Sequence, residues 1–370
     1  MNLIYIVDFP VNGNSGREKA TREKANALSR NNSVDSFLLI SEQPRNGLVF
    51  KILSKLFFDI KTALKILPKR NIIVVQRVLF LPVTRLVLFL KGTRVISEYH
   101  SDLREEIPLF NKPAYQKYLL YIASYFYNLN IKISHGILFN HPYLKSKFDS
   151  VYHKPSIYSY NGSNYSDYFY MDQRLARNNL NISQDAVVFL FLGSVSQWHG
   201  VDYLINIFNE ESIKLQPNFR LYIVGAKDND YTDDLKQKAE NESIIFIPPV
   251  DTVTANEYIN ASDFCMLPVK QVRTSPGSPL KLYDYIACGK PVIAQENLLG
   301  YSDEVEKYNL GYTIDFTDTK SGAEKLNEIV KGLSKEMKLY FMENNRDIAL
   351  KKVSWEKRMD EWCEFLRRFY

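Results

Sequence analysis

Short runs of Val, Ile, Leu and Phe without polar alternation recur along the chain, separated by stretches long enough for helices. In the first half they fall at 3–7, 36–40, 71–75, 94–98 and 136–139; in the second they fall at 187–192, 220–224, 244–247, 264–267, 291–294 and 312–314. Such runs read as strands buried on both faces, and their alternation with helical stretches predicts parallel βαβ sheets. The two series predict an α/β chain of two doubly wound domains in tandem, residues 1–170 and 171–354. The polar, turn-prone stretch 161–185, which opens with Asn161-Gly162, holds the boundary. No internal repeat, heptad array or low-complexity tract interrupts the pattern. Ligands of open α/β sheets bind beyond the carboxyl ends of the strands, so chemistry is expected in the loops that follow these runs.

At 370 residues the chain exceeds what one core ordinarily serves, which agrees with two domains. With 45% hydrophobic and 24% charged residues it is neither disordered nor collagen-like. Cys265, Cys288 and Cys363 stand alone, so neither a disulfide framework nor a paired-cysteine metal clip is expected, in keeping with a reducing compartment. The N-terminus runs into an apolar strand with no basic region or cleavage site before it, and a cytoplasmic protein is expected. Segment 72–90 approaches the length of a membrane span, but Gln76, Arg77, Pro82, Thr84 and Arg85 interrupt it. A charge at mid-span costs about 2.5–3.5 kcal/mol, so the segment reads as a buried strand followed by a helix.

The net charge of +5 conceals a split. Residues 1–180 hold 25 Lys and Arg against 13 Asp and Glu, a net of +12, and the remainder a net of −7. Much of the excess lies between Leu48 and Arg70, where Lys51, Lys55, Lys61, Lys65, Lys69 and Arg70 are interleaved with Ile52, Leu53, Leu56, Phe57, Phe58, Ile60, Leu64 and Leu67. A helix of that pattern either lies on an anionic membrane surface, each near-surface lysine being worth about 1 kcal/mol, or packs on a core with a wet basic face. The first alternative makes the protein peripheral on the inner membrane face. Nucleic acid is not expected, since the second half is acidic and no reader motif is present.

Residues 275–294 read SPGSPLKLYDYIACGKPVIA. Ser278 as N-cap, Pro279 at N1 and Gly289 just past the end predict a helix from Pro279 to Cys288. Lys281 then falls at N3, where a cation opposes the helix dipole by roughly 0.3–1 kcal/mol. A bound anion resolves the conflict. The N–H groups of Pro-Gly-Ser-Pro-Leu and the lysine would form a phosphate cradle, and Asp284, one turn later, could accept from ribose hydroxyls. The alternative is an exposed Lys281–Asp284 pair worth at most about 1 kcal/mol.

SPLKLYDYIACGKPVIA resembles the donor-nucleotide motif of retaining glycosyltransferases of family 4, whose GT-B fold sets two Rossmann-like domains across a cleft. The other landmarks follow in the same order. GNSGREKATREKANAL resembles the family's first glycine loop and helix, RVISEYHSDL its strand ending in histidine, and SYNGSNYSDYF its interdomain linker. FLFLGSVSQWHGVDYLI, FRLYIVGA and INASDFCMLP resemble strands and loops of its second domain, and SWEKRMDEWCEFL its terminal helix, here about 355–370, which packs back on the first domain.

The resemblance implies roles. His100 would face the donor sugar and acceptor; alone it would read as a strand-end core histidine. Lys281 would neutralise the leaving diphosphate, with Ser278, Pro279 and Leu280 in the surrounding loop, Asp284 would hold the ribose, and Gly16 would let the backbone approach the transferred sugar. Two departures stand out. Ser194 and His199 occupy places where many members carry Arg and Lys on the diphosphate, and Pro276 and Asp284 replace the usual Glu-x7-Glu pair. A subgroup combines Trp-His-Gly with Ser-Pro-Leu-Lys, as at Trp198, His199 and Gly200, which implies a variant site. His199 could carry a proton beside a diphosphate, because a nearby anion raises its pKa.

The resemblance implies metal-independent transfer with retention, from a UDP- or GDP-sugar and without a cofactor; the leading reading for this chain is transfer to a glycan or lipid-linked acceptor in cell-surface polysaccharide synthesis, which the basic first half favours. Two other readings stay open: a catalytically weak subunit that binds or chaperones a partner transferase, and a nucleotide-sugar epimerase on the same fold. Asp228-Asn229-Asp230 has the look of a DxD metal motif, but short Asp/Asn clusters are more often turns, and no metal is expected. There are no paired His/Cys spacings for zinc, no Walker loop, and no GxGxxG after the first strand.

Overall fold

Among the described residues twelve strands form two six-stranded sheets, and every pairing is parallel. The structure is a computed structural model that describes residues 1–13, 15–42, 48–110, 112–271 and 278–370, with the backbone alone at 48–52. The chain divides into two units, residues 1–161 with 355–370, and residues 162–271 with 278–354.

The first sheet contains β1 (Asn2–Val7), β2 (Ser36–Ser41), β3 (Ile72–Arg77), β4 (Arg94–Tyr99), β5 (Gly136–Phe139) and β6 (Ser156–Tyr158), in the order β2-β1-β3-β4-β5-β6. The second contains β7 (Val187–Leu192), β8 (Phe219–Val224), β9 (Ile244–Ile247), β10 (Phe264–Leu267), β11 (Val292–Gln295) and β12 (Gly311–Ile314), in the order β12-β11-β10-β7-β8-β9. All eleven expected runs are strands, with ends displaced by two residues at most. Only β6 was not foreseen, because a three-residue edge strand with Ile157 as its one aliphatic residue leaves no run to read. Chain order reverses between β1 and β3 in one sheet and between β7 and β10 in the other, and a switch of this kind opens a crevice at the carboxyl ends of the strands.

Both faces of each sheet are covered, which is why the strands lack polar alternation. Ile4, Ile6, Ile40, Val74 and Val95 pack with Phe58 and Ile66 of α2 (Leu48–Ile66) and Leu88 of α3 (Pro82–Leu90). Tyr5 points to the opposite face, toward α1 (Gly16–Ser29) and the C-terminal helix Trp355–Leu366. There Trp362 is fully buried, meets Tyr5 edge-on at 6.2 Å, and donates its indole N–H to the Ser159 hydroxyl. In the second unit Phe189, Phe191, Leu221, Ile223 and Phe264 pack with Leu204, Phe208 and Leu326.

The motif helix begins one residue later than expected. It runs Leu280–Ala287, and Pro279, with ψ at 118°, is still extended and occupies the N-cap position without a side-chain cap. Ser278 is therefore not the cap, and Lys281 falls at N2 rather than N3, still in the first turn. Cys288 is the C-cap and Gly289 follows with φ +76°, as expected.

Trp362→Ala removes a fully buried ring and its hydrogen bond. Urea unfolding followed by near-ultraviolet circular dichroism is expected to show a loss of about 3–5 kcal/mol.

Candidate functional site

In the second unit the helix carrying Lys281 is tied to the end of β7, because the Leu192 N–H donates to the Tyr285 hydroxyl at 2.9 Å. From that helix the Lys281 side chain reaches across to β7 and sets its ammonium 3.9 Å from the centroid of the Phe191 ring. Beneath it the chain turns at Gly193, with φ +130°. A Cβ on Gly193 would stand 3.2 Å from Lys281 Cε and 3.5 Å from Nζ, so any side chain there would crowd the amine. Gly225, just after β8 with φ +106°, abuts the same turn: a Cβ on it would lie 2.3 Å from the Gly193 carbonyl oxygen. The two glycines thus hold the floor on which the amine rests.

Lys281 has no carboxylate at ion-pair distance among the described residues, and burial pulls its pKa down to about 7. The ring of Phe191 offers a cation–π contact in place of a counter-ion. His199 flanks that ring at 6.2 Å, stands 6.0 Å from Trp198, and pairs its Nδ1 with the Ser196 hydroxyl at 2.7 Å. Asp284 is buried in the same helix, close enough to add to the burial that raises the pKa of Tyr168. Ser194 is exposed, Pro279 is buried, and Ser278 and Leu280 are half-buried. Lys281 and His199 therefore share the Phe191 platform at the β7/β10 switch, while Asp284 lies deeper along the helix. Residues 272–277, including Pro276 and part of the expected cradle, lie outside the described residues.

In the first unit His100 follows β4 and joins a buried charge network. Glu98 accepts from the Lys24 ammonium, from His100 Nε2 at 2.6 Å and from the Tyr5 hydroxyl at 2.5 Å. Burial alone would raise the Glu98 carboxyl, but Lys24, His100 and Arg77 together hold it well below the usual carboxylate range. With Glu98 ionised, His100 Nε2 carries the proton and donates, and Nδ1 accepts from Asn140 Nδ2 at 2.9 Å. Burial, reinforced by Arg77, pushes the His100 pKa down to about 3 against the pull of Glu98. The imidazole is therefore neutral with both nitrogens engaged. Gly16 is the first residue of α1 and exposed, and Ser15 and Glu18 close a capping box around it.

Sequence reasoning passed over Phe191, Gly193, Glu98, Lys24 and Asn140. Two of them leave a trace, since Glu98 is a carboxylate inside an apolar run and Lys24 falls on the buried stripe of α1 with Ala20 and Leu28. Asn229 accepts from the Thr232 N–H at 3.1 Å as N-cap of the helix Asp230–Lys238, so this Asp/Asn cluster forms a helix start. Among the described residues no three His, Cys, Asp or Glu side chains are grouped as a metal site, and no helix is long and apolar enough to cross a membrane.

The two parallel sheets with flanking helices give the chain the GT-B glycosyltransferase fold. Residues 172–347 match the family described as glycosyl transferases group 1, which together with the fold supports a GT-B glycosyltransferase. A glycosyltransferase of Rickettsia africae superposes with a TM-score of 0.73 at 16% identity, covering 100% of this chain and 98% of that one. HepE of Anabaena, solved with UDP-glucose, gives 0.71 at 16% identity over 100% of both chains. WaaG, a glycosyltransferase involved in lipopolysaccharide biosynthesis, gives 0.66 at 15% identity over 97% of this chain and 98% of that one. A search of curated proteins gives no significant match.

The His100 pKa fixes the sign of a pH effect. The folded value of about 3 lies below the unfolded value near 6.5, so His100 stabilises the fold above about pH 6.5 and the contribution is lost as pH falls toward 3. Proton NMR should find His100 without a titration step between about pH 5 and pH 8, and stability should decline less steeply below about pH 6.5 in His100→Gln than in the parent.

Proposed function

We propose that the protein is a retaining, metal-independent glycosyltransferase that moves a sugar from a UDP- or GDP-sugar to a lipid-linked glycan acceptor in cell-surface polysaccharide synthesis. The observation that carries this reading is the Lys281 amine, held over Phe191 and Gly193 with no carboxylate partner among the described residues. An amine so placed at a strand-order switch has everything but an anion, and the diphosphate of a nucleotide sugar supplies one. Asp284 holds the ribose, Ser194 and the His199 loop border the phosphates, and Ser278, Pro279 and Leu280 lead the chain into the helix. Glycosidic bond cleavage puts negative charge on the departing diphosphate, so a fixed cation there stabilises the transition state more than the ground state. The acceptor hydroxyl attacks on the same face and passes its proton to a diphosphate oxygen. His100, neutral and with both ring nitrogens engaged, is a positioning group that exchanges no proton. HepE, solved with UDP-glucose, and WaaG, from lipopolysaccharide synthesis, lend the reading a donor type and a glycan context.

The membrane-facing part of the proposal rests on α2. Its residues Leu53, Phe57, Ile60 and Leu64 form an exposed apolar stripe at helical spacing, with Phe57 65% and Leu64 64% exposed, beside exposed Lys61 and Lys65. The core is served by another face of the helix, through Phe58, Thr62 and Ile66. The adjoining α3 adds Leu86, Phe89 and Leu90 to the exposed apolar surface. Apolar and basic residues combined in this way suit the headgroup region of an anionic bilayer.

UDP binding should take up protons, because the diphosphate raises the amine's pKa from about 7. Titration calorimetry in buffers of different ionisation heat is expected to show uptake of about a tenth of a proton at pH 6 and about nine tenths at pH 8, with affinity falling as pH rises above 7. Lys281→Met should abolish the uptake and the turnover of any sugar nucleotide accepted; unchanged UDP affinity and turnover in this variant would sink the assignment.

Vesicle flotation addresses the surface separately. Binding to phosphatidylglycerol vesicles should exceed binding to phosphatidylcholine vesicles, weaken in high salt, and drop in a Phe57→Ser, Leu64→Ser double variant. Equal recovery of parent and variant with the lipid would remove α2 from the reading.

A further inference from the structure

At the carboxyl end of the first sheet, where β1 and β3 part, Arg77 ends β3 opposite Val7 of β1, and Arg17 stands in the first turn of α1. Both guanidiniums lie over the buried ring of Phe9, with their central carbons 4.2 Å (Arg17) and 5.2 Å (Arg77) from its centroid. Two like charges on one ring repel. Burial, and after it the charge of Arg77, lowers the pKa of Arg17.

The acids in reach are already committed. Asp8 accepts from the Leu79 N–H at 2.9 Å and pairs with Lys55 at 3.2 Å, while Glu98 is taken by Lys24, His100 and Tyr5. Among the described residues neither arginine meets a carboxylate at ion-pair distance. Arg77 Nη1 is sealed from solvent and has no acceptor. A buried guanidinium N–H without an acceptor is rare, and two guanidiniums against one ring carry more donors than the single edge of a carboxylate can satisfy, which suits the several oxygens of a phosphate.

We propose that Arg17 and Arg77 form a binding site for a phosphate group carried by the acceptor, at the switch crevice of the first unit. Calling the ligand an acceptor rests on the transferase reading; the oxyanion site itself does not. The phosphate belongs either to a polyprenyl diphosphate carrier or to a soluble sugar phosphate, and both present the same terminal oxygens. Phe9 holds both side chains against one ring, and the anion supplies the acceptor that Arg77 Nη1 lacks.

Inorganic pyrophosphate is the probe, titrated into full-length Lys281→Met protein so that the donor site is silent. Saturable binding is expected there, weakened about tenfold or more when Arg77→Met or Arg17→Gln is added, the loss anticipated for a charged hydrogen bond. Arg17 is the more exposed of the pair, so Arg17→Gln keeps the test alive if Arg77→Met fails to fold. UDP affinity in a chain with Lys281 intact should be unaffected by either arginine change. Displacement of pyrophosphate by farnesyl diphosphate assigns the site to a lipid carrier, and displacement by glucose 6-phosphate assigns it to a soluble acceptor. No pyrophosphate binding, equal binding with and without Arg17→Gln, or displacement by neither competitor overturns the site. Failure of the protein with Lys281 intact to bind UDP, with pyrophosphate binding retained, would overturn the transferase reading and leave the anion site standing.

Discussion

A cation lodged over Phe191, with no carboxylate within ion-pair distance among the described residues, is the constraint around which the second unit is arranged. The amine of Lys281 opposes the dipole of its own helix at N2 and loses solvent, and both effects disfavour the charged form. What holds it there is local and specific. Phe191 contributes its π face, Gly193 leaves out the Cβ that would displace Cε, Gly225 lets β8 close against the Gly193 turn, and Tyr285 fixes the helix to the end of β7. The consequence is an amine that titrates near neutrality and becomes fully charged when an anion approaches.

The first unit treats buried charge in the opposite way. Glu98, inside a buried strand, is compensated from within by Lys24, His100 and Tyr5. A buried carboxylate survives only when its oxygens are satisfied like this, and removal of one partner leaves the remaining charge exposed to the full desolvation cost. The network also sets the state of His100, since one ring nitrogen is spent on Glu98 and the other on Asn140. Internal compensation therefore yields rigidity and a fixed protonation state, whereas the uncompensated amine of the second unit yields a group that responds to a ligand.

The fold was legible because sheets covered on both faces leave a signature that survives without knowledge of any contact: uninterrupted apolar runs at helix-length spacing. The edge strand β6 was not legible, since three residues at a sheet margin need no such run. At the site, Lys281 stood out because a cation in the first turn contradicts a local rule. Its exact turn position was misplaced by one residue because Pro279 remains extended instead of starting the helix. Phe191 and Gly193 could not be singled out. Their importance comes from a side chain about ninety residues further along the chain, and nothing in FLFLGS distinguishes a platform from an ordinary strand end. Glu98 and Lys24, 74 residues apart, are each anomalous in the sequence, yet the anomalies become a pair only once β4 lies beside α1.

Each of these charge arrangements, in its own unit, bears on where a proton could go in the proposed transfer. An attacking hydroxyl must lose its proton, and His100, the ring suggested by sequence resemblance, has no free lone pair and a pKa of about 3. Lys281, once an anion has drawn its pKa upward, is already protonated and cannot accept another. In the proposed transfer neither group takes the proton, which passes instead to the diphosphate oxygen at the bond being broken, an oxygen that gains basicity as the glycosidic bond opens. A fixed ammonium beside that oxygen works best if it stabilises the growing charge without surrendering its own proton. The Phe191 platform suits that role, because a cation–π contact holds the amine in place and offers it no competing base.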